Sequence, residues 1–400
     1  MKRRSDCVAL GFGLLLLACT GSTEGPAGPS APGAGTQGGA TGGPGGGPPA
    51  SADSVGFDPP SPEQQKAEPP SPRLRRLTLS QYENSVRELL GLDADTARLT
   101  PLAPVNGLRA LAASTLSLPE KDVEAFGALA ESLSARAFTD VTARQKLTRC
   151  DAQQGSCAQG FIADLGRRAF RRPLREDERT RYLALLSKAT QTSSDGWRGV
   201  QLAVSALLQS PNFLYRSELG EPDPQNPAQR RLTDLELASR LAFFLWNGPP
   251  DQDLLEAAEQ GGLASKEGLS AQIERLLASP RATQASEELF SDYLQLDGLD
   301  QLAKLPEAYP QATPALASAM KTETLTGLRE LLFKRGGDFR SAFTSTTTFV
   351  NADLAKLYGV RAPGGTTFSE VQLPATGPRA GLVLQGGFLA LHAHPSRSSA

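Results

Sequence analysis

From Arg73 onward, apolar residues recur at spacings of three and four, the mark of amphipathic helices. Tyr82, Val86, Leu89 and Leu90 share one face and stop at Gly91, and Ser80-Gln81-Tyr82-Glu83 reads as a capping box ahead of them. A second box, Ser117-Leu118-Pro119-Glu120, predicts a helix that buries Val123, Phe126, Ala130 and Leu133, with Pro119 tolerated in its first turn. Helices follow over 157–170, ended by Pro173, and over 176–189, with Tyr182, Leu185 and Leu186 inward. Another covers 196–209. A third box, Thr233-Asp234-Leu235-Glu236, opens a helix with Leu237, Leu241, Phe244 and Leu245 inward, stopped at Gly248-Pro249-Pro250. Further helices are expected over 254–259, 266–278, 281–296 and 314–334, the last closed by Gly336-Gly337. One β-branched run, 344–350, is short and isolated.

The pattern therefore predicts a mainly α chain of several small helical modules in tandem. Their expected bounds are 73–145, 146–192 with Cys150 and Cys157, a main module over 193–362, and the start of a further module at 375–400. This body, about 330 residues, is too long for one small bundle. No repeat of solenoid period is visible.

The first 72 residues follow different rules. Lys2, Arg3 and Arg4 precede an apolar run over 8–17 and then Ala18-Cys19. A membrane span needs about 20 apolar residues, so this run suits a cleaved signal peptide, 1–18. Leu16-Leu17-Ala18-Cys19 has the form of a lipobox, which makes Cys19 the expected lipid-bearing (palmitoylated) N-terminus of a lipoprotein. Thr20 is not the aspartate that retains lipoproteins at the inner membrane, so an outer-membrane or cell-surface location is expected, with the membrane itself a partner through the anchor. Residues 20–72 hold 13 glycines, 12 prolines and one aromatic, Phe57. Such a composition cannot offset the entropy of ordering, and 19–72 reads as a disordered linker reaching on the order of 40 Å.

Four cysteines are present. Cys7 leaves with the signal peptide and Cys19 takes the lipid, leaving Cys150 and Cys157 for a disulfide in an oxidising compartment. A loop this short contributes about 2–3 kcal/mol in the chain-entropy model. Cleavage also removes Asp6 and three basic residues, which takes the formal net charge from −2 to −4. A weakly acidic surface argues against nucleic acid as a partner.

Candidate chemistry is thin. Gly-x-Ser-x-Gly, His-Glu-x-x-His, the Walker phosphate loop and a dinucleotide fingerprint are all absent. His392-Ala393-His394 could face one way in an extended segment, but two ligands do not close a metal site, so the pair reads as a polar loop beside Pro395. Arg167, Arg168, Arg171 and Arg172 end a helix, where positive charge complements the macrodipole, and Glu176, Asp177 and Glu178 lie just beyond to pair with them. No catalytic, cofactor or metal residue can be named, and whether the chain is an enzyme stays open.

Several segments resemble one family. Arg-Arg-Leu-Thr-Leu-Ser-Gln-Tyr-Glu-Asn-Ser-Val-Arg-Glu-Leu-Leu-Gly over 75–91 resembles the opening module of the planctomycete-type cytochrome-associated proteins, tandem domains of unknown function frequent in planctomycetes and myxobacteria. Residues 161–173, with Gly-Arg-Arg-Ala-Phe-Arg-Arg-Pro at their core, look like the second module. Residues 232–246 and the stretch from Thr348-Phe349-Val350-Asn351 to Tyr358-Gly359 look like the two ends of the third. Arg379-Ala380-Gly381-Leu382 through His394-Pro395 resembles the start of the fourth. In the family that module goes on to Cys-x-x-Cys-His, which holds a c-type haem. This sequence contains no such motif, so the resemblance implies haem only for a missing downstream module. The expected role is helical support of a surface redox protein. The alternative is an extracytoplasmic lipoprotein that binds an unknown protein or polymer and has no redox role.

Overall fold

The computed structural model describes residues 73–105, 108–115, 117–149, 155–193, 196–227, 229–361 and 364–397. The expected signal peptide, Cys19, the linker and Cys150 lie outside them. The protein is mainly α, as the periodicity requires.

Strand β1 (Arg73–Arg76) leads into α1 (Leu79–Leu90), α2 (Arg109–Thr115), α3 (Glu120–Thr139), α4 (Val141–Thr148), α5 (Gly155–Phe170), α6 (Glu176–Ser193), α7 (Gly196–Gln209) and the short α8 (Pro211–Leu214). Strand β2 (Tyr215–Glu218) then returns antiparallel to β1, pairing Arg73 with Glu218 and Arg76 with Tyr215. A first core fills the space between these helices. Tyr82, Val86, Leu89, Leu133, Ile162, Leu165, Val204, Leu207 and Phe213 all lie within it at 2 % exposure or less. Fully burying such a side chain stabilises by about 1.5–3 kcal/mol. Helix α7 is its centre, and it approaches α6 so closely that a Cβ on Gly199 would sit 2.5 Å from the Leu186 carbonyl oxygen. The boundary expected at residue 193 thus falls inside one core.

Two caps differ from expectation. The box of α1 is Thr78 with Gln81: the Thr78 hydroxyl accepts the Gln81 N–H at 3.2 Å and the Gln81 amide oxygen accepts the Thr78 N–H at 3.2 Å. Ser80 and Glu83 instead serve tertiary contacts, accepting from Asn247 and Thr96. Helix α3 starts after Pro119 with no side-chain cap. Its first turn buries Asp122, which pairs with Arg76 at 3.4 Å and accepts from the Thr100 amide and hydroxyl. Val123, expected inward, is consequently turned out, whereas Phe126, Ala130 and Leu133 are buried.

A small hairpin, β3 (Glu221–Pro222) with β4 (Arg230–Arg231), precedes α9 (Asp234–Leu245), α10 (Gln252–Glu259), α11 (Lys266–Leu277) and α12 (Pro280–Tyr293). The Thr233–Glu236 capping box of α9 forms as expected. Its buried face does not. Ala238, Ala242, Phe243 and Trp246 are buried, Leu237, Leu241 and Leu245 lie only partly covered, and Phe244 is 74 % exposed. The helix lies between two cores, and its alanine stripe lets Leu254 and Leu276 close onto Trp246, whose indole N–H donates to the Leu276 carbonyl at 2.8 Å.

The chain then passes through a 3₁₀ turn (Leu296–Gln301) to α13 (Pro314–Arg329), which continues as a π-helical turn (Glu330–Lys334). Strand β5 (Thr347–Val350) is not isolated: it pairs antiparallel with β6 (Ser369–Gln372) across α14 (Ala352–Tyr358). Helix α15 (Gly386–His392) packs on α13 and the 3₁₀ turn. Leu296, Leu299, Leu316, Met320, Val350 and Leu354 form the core here. No helix among the described residues is long and apolar enough to cross a membrane.

Candidate functional site

The arginine cluster is consumed by structure. Arg167 makes a bidentate pair with Glu259, and Arg168 donates to the Glu88 carbonyl. Arg172 forks onto Glu178, which also takes the Arg175 amide and Asn212. The Arg172 hydrogen bonds draw Glu178 down to about 2. Of the expected pairing acids, Glu178 serves Arg172 and Arg175, while Asp177 lies beside Arg175 and Arg181. Arg171 is buried against three carbonyls, those of Asn212, Phe213 and Tyr215. Burial, with Arg216 and Arg172 nearby, lowers its guanidinium to about 9.

The two histidines make separate contacts. His392 ends α15 with its ring 4.5 Å from that of Phe388, and His394 Nδ1 meets the Ser396 hydroxyl at 3.0 Å. Cys157 lies in the first turn of α5. Among the described residues no three His, Cys, Asp or Glu side chains gather as metal ligands would.

A cluster that sequence reasoning missed sits on α13. Glu323 is fully buried. The Thr348 hydroxyl, from β5, donates to its Oε1 at 2.5 Å, and the Tyr358 hydroxyl, from α14, donates to its Oε2 at 2.7 Å. Tyr358 in turn accepts the Gly386 N–H at 2.8 Å, so a chain of hydrogen bonds runs from the start of α15 to the buried carboxyl. Arg379 lies 4.7 Å over the Tyr358 ring, with Nη1 donating to the Leu384 carbonyl at 3.2 Å. Burial pushes Glu323 up to about 7 against the two hydroxyl donors and Arg379. Burial, then the Glu323 charge, raises the Tyr358 phenol.

These residues border a shallow open cleft, walled also by Ser345, Thr347 and Gln385. Its rim needs glycine at 381, where φ is +70° and a Cβ would lie 1.9 Å from the Phe343 carbonyl oxygen. A buried carboxyl whose pKa is raised by burial, beside a cleft, is a candidate functional position. The sequence carried one faint signal. Glu323 stands three and seven residues after the buried Met320 and Leu316, a place on the apolar face that a leucine would ordinarily fill.

Three family models match the chain in tandem, each described as a protein of unknown function: PSD3 (DUF1587) over 75–139, PSD5 (DUF1595) over 157–218 and PSD4 (DUF1592) over 232–360. The chain therefore carries the three tandem domains of the planctomycete cytochrome-associated type. Glu323, Thr348 and Tyr358 fall within the third match, and Arg379 and Gly386 beyond it. No curated protein and no solved structure matches.

Proposed function

We propose that this chain is an exported, lipid-tethered helical support that holds the start of a redox module against its last helical layer. The supporting observation is the Gly386–Tyr358–Glu323 chain of hydrogen bonds, which fastens the segment resembling the fourth module onto the third. Haem does not fit the residues present. The sequence lacks Cys-x-x-Cys-His, the cleft over Glu323 is lined by hydroxyls, an amide, a phenol and a guanidinium, and none of its lining residues is His, Met or Cys. Any haem would be held by residues other than those lining this cleft. Cys19 carries the lipid, the outer membrane is the destination, and Cys150 with Cys157 forms a disulfide in the exported protein.

The genomic DNA past codon 400 supplies the test. The longer product should show covalent haem that survives denaturation, and the 400-residue chain should show none. A longer product without haem overturns the redox part. Cys19→Ala should abolish lipid labelling and membrane fractionation, and an alanine variant that stays membrane-bound overturns the tether. Two free thiols at Cys150 and Cys157 in natively exported protein, read by mass spectrometry without reductant, would sink the disulfide.

A further inference from the structure

Along α13 the cleft over Glu323 meets a second one, through shared walls at Ser345, Thr347 and Gln385. The joined groove is polar at one end and apolar at the other, where Leu328, Phe349 and Leu382 line it. The π-helical turn Glu330–Lys334 forms part of its wall, a backbone irregularity common at functional sites.

Arg379 gives the polar end its charge. It is half-buried, and among the described residues it forms no ion pair. Arg329 and Arg335, nearby on α13 and its extension, pair with Glu287 and Glu370. The acid beside Arg379 is Glu323, whose burial keeps it largely neutral below about pH 7. Gln385 spends its amide oxygen on the Thr324 hydroxyl at 2.6 Å, which leaves its NH₂ group as a donor on the same wall.

We propose that this groove binds a short aliphatic monocarboxylate, with its carboxylate on Arg379 and Gln385 and its alkyl chain over Leu328, Phe349 and Leu382. A planar guanidinium fork matches a carboxylate, and one uncompensated cation suits one negative charge rather than a phosphate dianion. The alkyl chain covers the partly exposed Phe349, with the buried Leu328 and Leu382 beside it.

Proton linkage follows from the same geometry. Glu323 faces Thr348 from β5, Tyr358 from α14 and Arg379 from the chain before α15. Of the other charges on elements packed against α13, Asp297 pairs with Lys321, Glu287 with Arg329 and Asp338 with Arg340, while Asp353 and Lys356 on α14 form no ion pair among the described residues. An ionised Glu323 competes for the field of Arg379, so the carboxylate binds more tightly when Glu323 is protonated.

The test titrates hexanoate into the full chain at about pH 6 and about pH 8, read by calorimetry and by saturation-transfer NMR. Saturable binding is expected, several-fold weaker at the higher pH. Saturation should reach the hexanoate methyl group, and inorganic phosphate should compete poorly. Arg379→Gln should weaken binding by about tenfold or more, Arg379→Lys by less, and Glu323→Gln should retain binding while losing its pH dependence. No saturable binding to the wild-type chain, an unchanged affinity across the pH range, or phosphate competing as well as hexanoate overturns the proposal. So does Arg379→Gln, folded by circular dichroism, binding like wild type. If that variant does not fold, the wild-type pH comparison and methyl saturation decide alone.

Discussion

Glu218, buried in the first core, lies within 4.0 Å of Arg75, Arg216 and Arg240, whereas Glu323, buried as deeply in the last, is held by the hydroxyls of Thr348 and Tyr358. The same contrast separates Glu178, forked by Arg172, from Glu323. A carboxylate supplied with guanidinium groups stays ionised and ties elements together. One hydrogen-bonded only by hydroxyls, with a guanidinium near it but not paired to it, is dominated by desolvation and holds its proton more tightly. The comparison separates carboxylates held by guanidinium groups from a buried carboxyl held by hydroxyls.

The largest expected effect breaks the first half of that contrast. Glu218→Ala leaves Arg75 and the partly buried Arg216 without their shared acid, and should cost about 3 kcal/mol in urea unfolding. A loss below about 1 kcal/mol would show that these arginines find water instead.

The pH dependence sharpens the contrast, because the two acids act in opposite directions. Glu323 holds its proton more tightly folded than unfolded, so stability is full below about 4.5 and falls as pH rises towards about 7, by about 3 kcal/mol. Glu178, lowered to about 2, contributes stability above about 4.5 that is lost as pH falls towards about 2. Urea midpoints across pH should therefore rise and then decline, and Glu323→Gln should flatten the decline alone. A decline that persists in that variant assigns it to another group.

The smallest effect concerns the latch. Tyr358→Phe removes the bridge between Glu323 and Gly386 and should cost about 1–3 kcal/mol, since it leaves a buried carboxyl and an amide short of a partner. Hydrogen exchange should quicken at 386–392 while α7 stays protected. Equal quickening in both regions would mean that the two cores unfold as one.

Much of this architecture was legible in the chain. The start and end of α7, the Thr233–Glu236 cap and the α1 face of Tyr82, Val86 and Leu89 follow from local spacing and local hydrogen bonds. Where two candidate caps overlapped, as at Thr78 and Ser80, local pattern could not choose. A contact from Asn247, 167 residues away, occupies Ser80 and leaves the cap to Thr78. Nor could it choose the buried face of α9, because Phe243 and Phe244 are equally apolar and only neighbouring helices distinguish them.

The candidate site was almost invisible for the same reason. Thr348, Tyr358 and Arg379 lay in segments with familiar wording, but nothing local tied them to Glu323, which is 25 residues from Thr348 and 35 from Tyr358. The sequence by itself determined the helical class, the caps and most of the apolar faces, because periodicity and capping act within one or two turns. Only the tertiary structure decided which charges meet counter-charges. A carboxylate and a guanidinium look alike wherever they stand in a chain, and their protonation is set by what the fold brings within a few ångströms.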